Sequence, residues 1–318
     1  MVQGVVQVKV VFWGKGLRAF YCLEKLLELK YDIVLVVSHD NDKRDKDSVL
    51  TLADKNKIKS INPTNPNNLE TENLLKTLGA DLFVLGGYGN IIKQNIIDIA
   101  KIMTINLHGG KLPELRGSSP LNWALINGNN SFTLSVIQVD SGVDTGPVIL
   151  DRQFDVSIND TIVDLHKIAN HAFPEMLIEV INQIKDNAYQ LRRQEGDIGG
   201  YYALRFPEDG FILFDQLTAE QIHNRIRALT EPYPCAFTYY NGEKVKLIAS
   251  EHNETPFYGE EGRVYMKTKR GLLVCGKDKC LWVKKGVFVA NGSDIWQGVN
   301  RYDKFATAKG AILESFGS

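Results

Sequence analysis

Cysteine is scarce in this 318-residue chain, which has only Cys22, Cys235, Cys275 and Cys280. Four thiols are too few for a disulfide framework, and Cys275 and Cys280 lack the second ligand pair of a zinc site. Free thiols in a reducing compartment are the reading, and no metal is expected. Long apolar runs are also missing, and none approaches the ~20 residues that span a bilayer. The opening stretch, Met1 to Val11, carries Gln3, Gln7 and Lys9 within a β-like pattern. It lacks the charged start, apolar block and small-residue cleavage site of a secretion signal. A cytoplasmic protein with no membrane partner is the expectation. Neither sign of charge dominates: 37 basic residues face 38 acidic ones, for a net charge of −1. That balance gives no overall field to hold a polyanion, so nucleic acid is not an expected partner, although a local basic face is allowed. No internal repeat and no low-complexity tail interrupts the chain.

What is present is a regular alternation. Val5 to Trp13 is an apolar, β-branched run that ends at Gly14, and Leu17 to Leu29 follows with helical spacing of Phe20, Leu23, Leu26 and Leu27. Strands are predicted at Ile33 to Val37, Lys59 to Ile61, Ala80 to Gly86 and Met103 to His108. Helices are predicted at Val49 to Asn56, Glu70 to Leu78 and Ile91 to Ala100. This βαβ order predicts a Rossmann-like, mostly parallel sheet with helices on both faces. Beyond a Gly/Pro-bearing loop, Pro120 suits the first turn of a helix capped by Ser119. Thr133 to Val139 and Pro147 to Val156 read as paired strands. A long amphipathic helix then starts near Thr161, with Pro174 expected to end or kink it.

After about residue 205 the pattern changes to a capped helix (Thr218 and Gln221 as a capping box) followed by short β runs, with an Asn241-Gly242 hairpin turn among them. The expected division is therefore a catalytic α/β domain over 1–204. A linker helix with a smaller antiparallel, OB-like β domain would occupy 205–318.

One strand end stands out. Asn106 and His108 lie two apart, so they project from the same side at the carboxyl end of a central strand, where open α/β sheets place ligands. An amide can hydrogen-bond a developing oxyanion and an imidazole can take a proton from a nucleophile, which together suit acyl transfer. Alone, the pair reads as a strand-end cap and a packed histidine. Further on, Asp140-Ser141-Gly142-Val143-Asp144-Thr145-Gly146 places two acids in a glycine-rich turn. Its ordinary role is chain reversal, but it also offers a carboxylate to orient the imidazole and raise its pKa.

Asn106-Leu107-His108, Leu112-Pro113, Arg116-Gly117, Pro120, Trp123 and Asp144-Thr145-Gly146, in this spacing, resemble the signature of the folate-dependent formyltransferases. That family includes methionyl-tRNA formyltransferase, the formyltransferase domain of the aminoarabinose-modifying enzyme and sugar-nucleotide N-formyltransferases. The likeness extends through Asp209-Gly210, Ile226 to Leu229 and Pro232 to Phe237, and covers roughly residues 8 to 250. The chain departs from many relatives at Gly110 and Lys111, and at Cys235, where glycine is usual.

The resemblance implies an Asn106, His108 and Asp144 site with 10-formyltetrahydrofolate as co-substrate. His108 would be the general base on an amine, Asn106 an oxyanion donor, and Asp144 the group that orients His108. It also implies a pterin pocket from Gly87, Tyr88, Asn90, Ile91 and Ile92 with Gln138, Val139, Asp140, Gly142 and Val143. For the acceptor, a nucleotide-linked amino sugar of surface polysaccharide synthesis is preferred, since neither the net charge nor the Phe12-Trp13-Gly14 start suggests a tRNA enzyme. Candidate acceptor contacts are Lys15, Arg116, Tyr202, Arg205, Arg227 and Tyr233; the last four are equally readable as packing, and Lys15 with Arg18 also suits a phosphate or the folate glutamate tail. A methionyl-tRNA formyltransferase is the alternative, and a homodimer is left open.

Two other readings compete. Gly14-Lys15-Gly16-Leu17-Arg18-Ala19 fits the dinucleotide fingerprint G-x-G-x-x-A, with Asp40 beyond it, which by itself suggests an NAD enzyme. The interleaved cations and aromatics of the last third (Lys244, Lys246, Arg263, Tyr265, Lys267, Lys269, Arg270, Trp282, Lys284, Lys285) fit a nucleic-acid-binding module. A solvated, charged sheet face is the simpler account of them. His166 and His171 read as surface or packing residues, and Met103 and Trp123 as core.

Overall fold

The computed structural model describes residues 8–196 and 200–310; the first residues of the predicted opening strand, Val5 to Gln7, lie outside them. The elements run in chain order. The first half contains β1 (Lys9–Gly14), α1 (Gly16–Glu28), β2 (Asp32–Val37), α2 (Val49–Lys55), β3 (Ser60–Ile61), α3 (Leu69–Leu78), β4 (Leu82–Gly86), α4 (Gln94–Ile97) and β5 (Met103–His108). Next come β6 (Leu115–Gly117), α5 (Pro120–Ile126), β7 (Ser131–Gln138), β8 (Val148–Asp155), α6 (Ile162–Lys185) and β9 (Gly200–Tyr202). The remainder is α7 (Ala219–Leu229), β10 (Ala236–Tyr240), β11 (Glu243–His252), β12 (Val264–Thr268), β13 (Gly271–Cys275), β14 (Cys280–Phe288) and α8 (Ile295–Gly298).

The chain forms two compact units. Among the described residues, one holds 8–117 with Thr133–Phe154, 167–196 and 200–202, and the other holds Ser118–Phe132, Asp155–His166 and 203–310. The sequence reading cut the chain once, at 204/205, whereas two earlier segments cluster with the later chain in space.

In the first unit a seven-stranded sheet has the order β3-β2-β1-β4-β5-β7-β8. Its β1, β2, β3, β4 and β5 pair in parallel, and β7 runs antiparallel to β5. The strands are near-continuous apolar runs, as a sheet covered on both faces requires. Trp13 and Phe83, both fully buried, pack with Leu35, Val37, Leu85 and Ile96 in one core. Strand order reverses between β1 and β4, which makes a topological switch point whose carboxyl ends open a crevice for ligands. Gly14 at the end of β1 is a close-approach residue. A Cβ there would lie 2.5 Å from the Ala19 Cβ and 2.6 Å from the Gly86 carbonyl oxygen. Helix–strand packing thus accounts for this glycine of the dinucleotide-like pattern without a nucleotide.

Three sequence expectations are corrected. Helix α6 runs unbroken through Pro174, carried by buried Leu165, Ala169, Phe173, Met176, Leu177, Val180 and Ile181 at helical spacing. The predicted helix over Ile91 to Ala100 shrinks to Gln94–Ile97. The Asn67 side chain explains this, because it donates to the Ile91 carbonyl (2.9 Å) and accepts from the Lys93 N–H (2.7 Å), taking backbone groups that a longer helix would use. Ser119 sits at the N-cap of α5 but in the left-handed region (φ 55°), and its hydroxyl makes no cap bond.

In the second unit a five-stranded sheet runs β10-β11-β14-β13-β12, antiparallel throughout. Asn241 (φ 48°) and Gly242 (φ 78°) form the two-residue turn between β10 and β11, as the sequence indicates. Thr218 and Gln221 cap α7 reciprocally, at 3.2 and 3.0 Å. Part of the charge of this unit is neutralised within it: Arg270 and Lys284 pair with Glu251, and Arg263 and Lys304 with Glu260. Among the described residues no helix is long and apolar enough to cross a membrane.

His223 on α7 is buried, with its ring nitrogens 2.9 Å from the Ser250 hydroxyl and 2.9 Å from the Ile158 carbonyl, and its ring against His252. Burial pushes its pKa down to about 4, against the opposing pull of the Ile158 carbonyl. The unfolded chain therefore binds a proton here that the folded chain refuses, and stability falls as pH drops from about 6.5 toward 4. Thermal melts across this range should show the midpoint falling with pH, and His223→Gln should make the dependence shallower. An unchanged slope in the variant contradicts this assignment.

Candidate active site

The site is built where β5 ends. Residues alternate sides along a strand, so Asn106 and His108 share a face while Leu107 between them is buried. His108 is 5% exposed, and its Nε2 lies 2.7 Å from the Leu115 carbonyl oxygen. A carbonyl only accepts, so Nε2 carries the proton and Nδ1 of the neutral ring has a free lone pair. That Nδ1 is 3.5 Å from Asp144 Oδ2. Asn106 Nδ2 donates to Asp144 Oδ1 (3.3 Å), and the Gly117 N–H donates to Oδ2 (2.9 Å). The three residues singled out in the sequence thus meet around one carboxylate.

Two details differ from the sequence reading. The hydrogen bond that orients His108 is the one its Nε2–H donates to the Leu115 carbonyl, and Asp144 faces the other ring nitrogen at 3.5 Å. The His108 pKa also moves down: burial lowers it by more than the Asp144 carboxylate and the Leu115 carbonyl raise it. The imidazole is thereby neutral at pH 7, ready to accept a proton at Nδ1, and the adjacent carboxylate stabilises the cation that results.

The turn that delivers Asp144 is held from two sides. Asp144 itself is left-handed (φ 54°), a conformation that costs a non-glycine residue on the order of 1 kcal/mol and needs outside support. Asp140 Oδ1 accepts from the Gly142 N–H (3.1 Å) and the Thr145 hydroxyl (2.6 Å). Gln194 Nε2 donates to the carbonyls of Asp144 (2.8 Å) and Gly146 (2.7 Å), while its Oε1 accepts from Arg116 Nε (3.0 Å) and Nη2 (2.7 Å). Gly117 has φ 95° and meets β9 so closely that a Cβ would be 2.2 Å from the Tyr202 carbonyl oxygen. Sequence reasoning missed Gln194, the Leu115 carbonyl and the Gly117 N–H; two are backbone groups, and Gln194 stands alone in a polar stretch with no motif around it.

The segments expected to form a pterin pocket also belong to this unit. Gly87 to Ile92 leaves β4 beside the switch point. Tyr88 is buried against Trp13 and His39, the Gly89 N–H donates to His39 Nε2 (2.9 Å), and Asn67 fixes Ile91. Ile91 is 71% exposed, Ile92 is buried, and Asn90 lies between them and Gly89. Gln138 and Val139 continue β7, with the Val139 N–H donating to Thr104 (2.8 Å), and Val143 is 36% exposed.

The candidate acceptor contacts scatter. Arg116 is engaged with Gln194. Lys15, which follows β1, donates from Nζ to Asn41 Oδ1 (2.7 Å) in the loop after β2, and Tyr202 lies on β9, paired with Gly117. Arg227 is 5% exposed and bonds Asn224 and the carbonyls of Ser157 and Asp160, which is a packing role. Arg205 and Tyr233 line one cavity of the second unit, about 190 Å³, with Asn122, Phe206 and Leu229. The Arg205 guanidinium stacks over Trp123 at 4.8 Å, and the Tyr233 hydroxyl is 2.9 Å from His166 Nε2.

With this geometry in view, comparison with known proteins is decisive. Residues 8–181 match the formyl transferase family, and residues 206–300 match the formyl transferase C-terminal domain. The chain belongs to the formyl transferase family. It is an enzyme of formyl transfer. Similar proteins include a methionyl-tRNA formyltransferase of Acetivibrio thermocellus, 31% identical over 285 residues that cover 86% of this chain and 89% of that one. The bifunctional polymyxin resistance protein ArnA of Wigglesworthia glossinidia brevipalpis is 31% identical over 257 residues, covering 78% of this chain and 39% of that protein. In fold, the chain is similar to an N-formyltransferase from Helicobacter canadensis solved with folinic acid and dTDP-3-aminofucose. The TM-score is 0.69 at 24% identity, covering 87% of this chain and 99% of that one.

For a formyl transferase with this site, His108→Asn and Asp144→Asn should each lower kcat roughly a hundredfold to ten-thousandfold. Because the folded-state pKa of His108 is lowered, the limb of kcat/KM left after the acceptor amine's own ionisation is divided out should fall only below the ordinary histidine range. Steady-state rates from pH 5 to 9 check both. Full activity in either variant, or an acid limb above pH 7 that the acceptor amine's own ionisation does not account for, contradicts the assignment.

Proposed function

We propose that this formyl transferase moves a formyl group from 10-formyltetrahydrofolate to the primary amine of a nucleotide-linked amino sugar, of the kind used in surface polysaccharides. The observation that carries the chemistry is the anchored His108 ring: Nε2 is committed to Leu115, so Nδ1 beside Asp144 is the proton acceptor. An amine attacks only when neutral. His108 takes the proton lost as the new C–N bond forms, and Asp144 stabilises the imidazolium. Asn106 Nδ2 has a second N–H beyond the one given to Asp144, and it donates to the carbonyl oxygen as negative charge builds there. The protonated ring then returns its proton to the departing nitrogen.

The folate supplies an activated formyl carbon when bound. The segments 87–92 and 138–143 suit its flat, polar ring. Their backbone is fixed by His39, Asn67 and Thr104, and exposed Ile91 and Val143 offer apolar surface. Bound folinic acid in the Helicobacter canadensis neighbour supports the same donor class.

Three observations support a small nucleotide-linked acceptor. Four cations of the C-terminal unit, Arg270, Lys284, Arg263 and Lys304, are paired with Glu251 and Glu260, the net charge is −1, and Arg205 with Tyr233 borders a compact cavity. The dTDP-3-aminofucose held by the structural neighbour supports this class. The methionyl-tRNA formyltransferase among the similar sequences keeps aminoacyl-tRNA as the second reading. Incubation of the full chain with 10-formyltetrahydrofolate and a panel of nucleotide-linked amino sugars, followed by mass spectrometry, decides between them. One sugar should gain a single formyl mass. Formylation confined to methionyl-tRNA overturns the acceptor while leaving the chemistry in place.

A further inference from the structure

We infer that Gln194, held by Arg116, is a positioning residue for formyl transfer: it sets the distance between the proton-accepting nitrogen of His108 and the carboxylate of Asp144. The short strand β6 carries the inference. Its first residue, Leu115, anchors His108 through the carbonyl, and its last, Gly117, anchors Asp144 through the N–H. Between them, Arg116 extends its side chain to Gln194, which in turn grips the carbonyls of Asp144 and Gly146. One amide thus closes a ring: β6 to Asp144 through Gly117, Asp144 to Gln194, and Gln194 back to β6 through Arg116, with His108 held by Leu115 of the same strand.

All four hydrogen-bonding positions of the Gln194 amide are used, two accepted and two donated, which leaves it one orientation. Its fit is specific in chemistry as well as in shape. A glutamate in its place keeps the Arg116 contact but turns an acceptor oxygen toward two carbonyl oxygens. A leucine loses both contacts at similar size. Arg116 uses two nitrogens of its planar guanidinium on one oxygen, a fork that lysine lacks. The load carried by the clamp is visible in the backbone, because Asp144 is left-handed without being glycine. Release of the Asp144 and Gly146 carbonyls frees the turn to relax, and the carboxylate moves off the imidazole. Neither Gln194 nor Arg116 needs to touch a substrate for this, so Arg116 is reassigned here from acceptor contact to support.

Gln194→Leu, Gln194→Glu and Arg116→Lys in the full chain test the inference through four readouts: kcat, KM for donor and acceptor, the pH profile of kcat, and the thermal midpoint. A misplacement near 1 Å costs about a hundredfold in rate. The expected result is a kcat loss of roughly tenfold to a hundredfold in both Gln194 variants, with a smaller loss in Arg116→Lys. Each KM should stay within about twofold, and the acid limb of the pH profile should move. NMR titration of the His108 ring in wild type and Gln194→Leu, with no substrate present, should show the same shift independently of which acceptor is correct. Three results overturn the proposal: unchanged kcat, a loss carried wholly by KM, or a lower thermal midpoint with kcat per folded molecule and the His108 titration unaltered.

Discussion

The carboxylate of Asp144 is the interaction on which the site depends. Oδ1 takes the Asn106 amide, and Oδ2 takes the Gly117 N–H while facing His108 Nδ1 at 3.5 Å. A charge in a largely buried position needs donors to offset its desolvation, and here the Asn106 amide and the Gly117 N–H supply them. Asn106 and His108 come from one strand, Gly117 from a second, and Asp144 from a turn whose backbone is held in the left-handed region. Of these stretches only β5 pairs in parallel within the large sheet: Asp144 follows β7, antiparallel to β5, and Gly117 lies on β6, which pairs with β9 in a separate two-stranded sheet.

The imidazole expresses a competition between two opposed effects. Burial disfavours the cation and the nearby carboxylate favours it, and burial is the larger influence. This outcome suits a base better than the reverse one. A ring charged at rest has no lone pair to offer, whereas a neutral ring beside a waiting carboxylate gains stabilisation only once the proton has moved. The favourable interaction is thus concentrated where the barrier lies.

Much of this was legible in the sequence, for identifiable reasons. The parallel strands are apolar runs bounded by turns, and the Asn-x-His spacing fixes a shared face whatever the surroundings. Asn241-Gly242 and the Thr218/Gln221 box state their geometry locally, because the chemistry that defines them spans a few residues. What failed depends on distant partners. Pro174 suggested a break in α6, but a row of buried apolar residues on both sides carries the helix through it. Ile91 to Ala100 has helical composition, yet the Asn67 side chain, 24 residues before Ile91, claims the backbone groups first. Gln194 carries no local signal, since its function lies in four contacts with residues from 116 to 146. The carboxylate does pull the His108 pKa up, as its proximity suggests, but a sequence does not show the depth of burial that outweighs it.

The state of the His108 ring at neutral pH is the most direct check on this account, and ¹⁵N-resolved NMR of the wild-type protein at pH 7 reads it. The geometry requires a neutral imidazole with its proton on Nε2, pointed at Leu115, and an unprotonated Nδ1. A ring that is charged at pH 7, or neutral with its proton on Nδ1, would contradict the account at its centre.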